Sequence, residues 1–88
     1  MNFTVAAFYQ FVALPDFREL RTPLRDICSS IDIKGTLLLA NEGINGTVAG
    51  DHDAIDHLVR QLRDGALFAV RLDNLELKFS TAADMPFQ

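Results

Sequence analysis

With 88 residues and 9.8 kDa, the chain has enough material for one domain and one hydrophobic core. Apolar residues make up 49% and charged residues 23%, with only five Gly and three Pro, which excludes a disordered or fibrous chain. Eight basic against twelve acidic residues leave a net charge of −4, so the broad positive field of a stand-alone nucleic-acid binder is excluded and any such contact must be local.

Phe3 to Val12 is rich in β-branched and aromatic residues. Both of its alternating sets are largely apolar, Val5, Ala7, Tyr9 and Phe11 on one side and Ala6, Phe8 and Val12 on the other, which predicts a central strand. Pro15 and Asp16 end it, and Asp16 with Glu19 three residues on reads as a capping box opening a helix. Phe17, Leu20, Leu24, Ile27, Cys28 and Ile31 recur at helical spacing, and Pro23 inside this stripe is expected to kink or split the helix. Lys34-Gly35 closes the unit and Thr36 to Ala40 forms a second strand. Asn41-Glu42-Gly43 reads as a bulged hairpin turn with Gly43 at positive φ, returning through Ile44 to Ala49; Asn45-Gly46 is a rival turn. Gly50-Asp51 opens a second helix that buries Ile55, Leu58, Val59 and Leu62 and is capped by Gly65. Leu75, Leu77 and Phe79 then alternate with Glu76, Lys78 and Ser80 in a half-buried strand.

The order β-α-β-β-α-β predicts one α+β domain over residues 1–88, a ferredoxin-like sandwich with a four-stranded antiparallel sheet and two helices on one face. The first strand would then leave a patch containing Phe8 or Tyr9 uncovered, to dock a further domain or a second copy of the chain. The apolar ending Asp84-Met85-Pro86-Phe87-Gln88 favours a further domain.

Few residues carry chemistry. Cys28 is alone, so neither a disulfide framework nor a cysteine-cluster zinc site is available, and a reducing compartment fits. The nearly apolar run from Val5 to Leu14 is too short to cross a bilayer, and no Lys or Arg precedes Arg18, so no secretory signal and no membrane association are expected. His52 and His57 stand five apart, off the spacing that stacks two ligands on one helix face. Arg18, Arg21 and Arg25 line one flank of the first helix. They can hold phosphates of an RNA backbone, or form a solvated flank paired with Glu19 and Asp26. Asn41, Glu42 and Asn45 crowd one hairpin end, where they either satisfy the turn's own backbone or face a partner domain or substrate. The connection ALPDFREL after the first strand has none of the glycines that an acylphosphatase anion loop needs, and INGTVA has none of the aromatic residues by which an RNA-recognition module stacks bases on its third strand.

The stretch KGTLLLANEGINGTVAG, with the opening VAAFYQFVALPDFRELRTPLRDIC and the closing DMPF, resembles the N-terminal domain of the rhodanese-like tRNA uridine hydroxylases over nearly the whole chain. The resemblance implies a cytoplasmic bacterial enzyme that uses molecular oxygen as co-substrate to convert the wobble uridine of tRNA to 5-hydroxyuridine. It also implies a C-terminal rhodanese domain carrying the reactive cysteine, a residue that Cys28 does not match. No catalytic residue carries over, no cofactor is expected in this domain, and the 88 residues are expected not to act as an enzyme alone. Their implied part is to help place tRNA or to brace the rhodanese domain; the alternative is a small-molecule-binding or oligomerisation module using the open sheet face.

Overall fold

A computed structural model describes residues 2–87. The elements are β1 (Phe3–Phe11), α1 (Phe17–Ser30), β2 (Lys34–Ala40), β3 (Gly43–Gly50), α2 (His52–Asp64) and β4 (Glu76–Ala82). All neighbouring strands are antiparallel, in the order β2-β3-β1-β4, which is the ferredoxin-like arrangement the sequence predicts. β1 is central, as its apolar character on both sides requires.

The pairing register decides which side chains meet the helices. Ala6 stands between Val48 and Phe79, and Phe8 between Gly46 and Leu77; both are buried, Phe8 to 4% exposure, in a core shared with Leu24, Ile55, Leu58 and Leu62. Phe8 therefore leaves the uncovered patch and packs under the helices. Tyr9, its neighbour, points the other way and remains 50% exposed.

α1 buries Leu20, Leu24 and Cys28 and runs unbroken through Pro23, contrary to the expected split. Pro23 is exposed, so the one missing backbone donor lies on the solvent side, where water can satisfy the freed Glu19 carbonyl. The helix ends earlier than Lys34-Gly35. Asp32 takes the left-handed conformation at φ 55, its N–H bonds the Ser29 carbonyl, and the Ile33 N–H bonds the Cys28 carbonyl at 2.9 Å. This is a Schellman ending with Asp32 in the place glycine usually takes, sealed by buried Ile33 over Cys28. The capping box is not formed: Asp16 is the N-cap residue, but its carboxylate makes no cap hydrogen bond.

Ala40 pairs directly with Gly43, so the link between β2 and β3 is the two residues Asn41 and Glu42 and not the bulged three-residue turn expected, while Gly43, the first residue of β3, does take a positive φ of 150. Asn45 and Gly46 lie inside β3, paired with Tyr9 and Phe8, so the rival turn is not used. α2 buries Ile55, Leu58 and Leu62. Gly65 ends it in an extended conformation, φ −73 and ψ 160, and not the left-handed one. The link 66–74, which the sequence leaves without an element, is a packed turn region: Phe68 and Leu72 are fully buried, with Ala69 and Val70 left-handed between them, and Leu75, expected to open the last strand, is buried just before it. β4 starts at Glu76, and Phe79, expected on its buried side, is 54% exposed at the sheet edge.

Candidate functional site

The three arginines project from α1 into solvent. The Arg18 and Arg21 guanidinium groups lie 5.3 and 5.8 Å from the centre of the Phe17 ring, a cation–π stacking that holds them along one flank. Among the described residues the ion pairs are Arg60–Asp56 and Arg71–Asp16, so Glu19 and Asp26 form no ion pair with this row. Arg21 and Arg25 border a groove of about 710 Å³ between α1 and the edge strand β2. Its apolar floor includes Leu24, Leu37 and Leu39, while Lys34 and Asp32 stand at its rim. Three cations against one carboxylate make this a local basic patch on an acidic chain. Lys34 was missed in the sequence because it heads β2, nine residues beyond Arg25, and only the return of the chain beside α1 brings the two to one groove.

The hairpin residues do not converge. Asn41 and Glu42 are exposed at the tip, where their backbone carbonyls accept hydrogen bonds from the N–H groups of Leu14 (2.8 Å) and Val12 (2.9 Å). The tip is thus tied to the chain leaving β1 by backbone alone. Neither side chain, nor that of Asn45, makes a hydrogen bond among the described residues, so the turn does not depend on them. Asn45 sits farther along β3, on the sheet face away from the helices, between Tyr9 and Leu38. The same bonds occupy the donors of Val12 and Leu14, and Pro15 has none. An anion cradle after β1 is therefore without three of the donors it would use, those of Val12, Leu14 and Pro15.

Arg71, in the turn region, makes a bidentate pair with Asp16 at 2.6 and 3.0 Å, and its Nε donates to the Phe68 carbonyl at 2.9 Å. Gln10 Nε2 donates to the Arg71 carbonyl, joining β1 to the same knot. The Arg71 hydrogen bonds hold the Asp16 carboxyl below its ordinary pKa. Nothing in local spacing announces this pair, because its members are 55 residues apart. Burial pushes the Cys28 thiol above its ordinary pKa, which disfavours the nucleophilic thiolate. His52 and His57 are exposed, and no cluster of three metal-binding side chains occurs among the described residues.

The sheet face away from the helices carries Tyr9, Phe11 and Leu38, exposed to 50%, 81% and 57%. The Tyr9 and Phe11 rings meet edge to face at 6.0 Å. Beside them a shallow hollow over the small side chains Ala7 and Thr47 is bordered by Asn45, Glu76, Lys78 and the ring of Phe87.

Compared with known proteins, residues 3–88 match the UPF0176 acylphosphatase-like domain. The chain belongs to this family. UPF0176 relatives include proteins named tRNA uridine(34) hydroxylase. The one from Bradyrhizobium diazoefficiens is 65% identical over 83 residues, and the one from Nitrobacter hamburgensis 66% identical over 83; each match covers 94% of this chain and 32% of the relative. The chain thus spans about a third of the length of these curated relatives, as the N-terminal part of proteins of that name. Among solved structures, the cofactor-independent oxygenase SnoaB from Streptomyces nogalater superposes with a TM-score of 0.57 at 17% identity, covering 97% of this chain and 96% of that one, a likeness of fold alone. Among the described residues of this UPF0176 domain no helix is long and apolar enough to cross a membrane.

Proposed function

We propose that this domain is the non-catalytic N-terminal part of an oxygen-dependent tRNA uridine hydroxylase that makes 5-hydroxyuridine at position 34, and that it helps to place the tRNA. The carrying observation is the identity of about two thirds, over nearly the whole chain, with proteins named tRNA uridine(34) hydroxylase. The row of Arg18, Arg21 and Arg25, which makes no ion pair among the described residues, supplies guanidinium forks for a phosphate backbone, and the Lys34 ammonium borders the same groove. A net negative chain with one basic flank also orients the RNA, since the other surfaces repel it. The raised pKa of Cys28 and the occupied Val12 and Leu14 donors after β1 fit a domain that leaves the chemistry to another part of the protein, which on this reading is a rhodanese domain following in the same chain.

The test is a titration of tRNA into the full-length hydroxylase carrying Arg18→Gln, Arg21→Gln and Arg25→Gln together. If all three contact phosphates, the slope of log Kd against log salt falls by about 2 to 3 and binding weakens for every tRNA alike. An unchanged slope and affinity would remove the row from tRNA placement.

A further inference from the structure

The two faces of the sheet are finished differently. One is closed by the helices. The other is closed only at the end nearest the β1 N-terminus, where Ala49 is fully buried although it faces away from them. At the hairpin end it presents Tyr9, Phe11 and Leu38, and no side chain of the described residues covers them. A Phe that is 81% exposed beside a half-exposed Tyr and a Leu is an apolar patch of the kind that marks a protein contact.

The course of the chain after β4 indicates what covers it. β4 ends at Ala82, opposite Phe3, at the far end of the face from the patch. The chain then doubles back over the open face, so that Phe87 borders the hollow with Tyr9, Asn45 and Glu76, at the edge of the exposed aromatic pair. In the relatives this domain makes up about a third of the protein. Polypeptide continuing from Phe87 therefore starts on the rim of the patch, and any folded unit it forms begins within reach of Tyr9 and Phe11. The face is also poor ground for RNA: Glu76 stands beside Tyr9, Lys78 lies toward the closed end, and Lys34, on the edge strand, borders the α1 groove.

We infer that the Tyr9–Phe11–Leu38 end of the open sheet face is the seat of the polypeptide that follows this domain in the full-length protein, with Phe87 as the first side chain of that interface. This rests on the part of the proposed function that makes the chain one domain of a longer hydroxylase. It assigns opposite sides of the domain to two tasks, the open face to the adjoining domain and the α1 flank to RNA.

Hydroxyl-radical footprinting of the unmodified full-length protein tests it without any substitution. Tyr9 and Phe79 have nearly equal exposure in the domain, 50% and 54%, and Phe11 has more, so Phe79 is an internal reference on the other face. With rates corrected for intrinsic reactivity, Tyr9 and Phe11 should be oxidised at least about fivefold more slowly than Phe79, in the absence of tRNA and unchanged on tenfold dilution, as in a dry interface centre. Equal rates would overturn the inference. Protection lost on dilution would give the face to a second copy, and protection seen only with tRNA would give it to RNA; either overturns it as well. The footprint reads packing and not turnover, so it can fail while the arginine variants still lose tRNA affinity, and the reverse.

Discussion

Asp16 illustrates how one side chain can be claimed by a distant partner over a local one. Its spacing to Glu19 fits a capping box, yet the carboxylate turns to the Arg71 fork, because a bidentate charge-assisted pair outweighs one cap hydrogen bond. The pair ties the start of α1 to the turn region after α2. Since its folded pKa lies below the unfolded one, the stabilisation is complete above about pH 4 and is lost as pH falls through the folded value. Asp16→Asn should therefore melt a few degrees below the wild type at pH 7, with the difference closing below about pH 4. Calorimetric scans across that range check this, and a gap as wide at pH 3 as at pH 7 would contradict it. Gly43 is the other decisive single position. At φ 150, a Cβ there would run into the Gln10 carbonyl oxygen of the neighbouring strand, so Gly43→Ala should cost about 1 to 3 kcal/mol by denaturant titration. A neutral result would show that the hairpin can shift without loss.

At the scale of elements, the periodic segments were legible in the sequence: the two-sided apolar run of β1, the strand of β4 apart from its exposed Phe79, and the helical stripes of α1 and α2. The hairpin was legible at Gly43, because only a positive φ closes that turn. The region 66–74 was not, since it has neither period, and its order comes from tertiary burial of Phe68 and Leu72 and from the Arg71 knot. Of the two outcomes expected of Pro23, the split does not occur, because its missing donor lies on the solvent side of the helix. If the turn region is part of the core, Phe68→Ala should destabilise by about 3 to 5 kcal/mol. That is a large share of the roughly 4 to 13 kcal/mol expected of 88 residues. Urea unfolding of the variant measures it, and a loss below about 1 kcal/mol would show that the region is a dispensable flap.

For the whole molecule, the proposed division of labour rests on three differently finished surfaces. The helix-covered sheet face is core, the α1 flank is basic and unpaired, and the open face is aromatic at one end. The arginine row could be named from sequence because it lies on one helix. Its partner Lys34 and the separation of Asn45 from Asn41 and Glu42 could not, because they depend on how β2 and β3 return beside α1 and β1. The family resemblance pointed to the activity, and nothing in composition or spacing would have done so.

The central claim is that this domain serves tRNA hydroxylation without performing it. The most direct measurement is mass spectrometry of tRNA nucleosides from a strain deleted for the full-length gene and complemented either with the complete protein or with a folded version lacking residues 1–88. The account predicts that the complete protein restores 5-hydroxyuridine and the shortened one does not; equal restoration by both would contradict it.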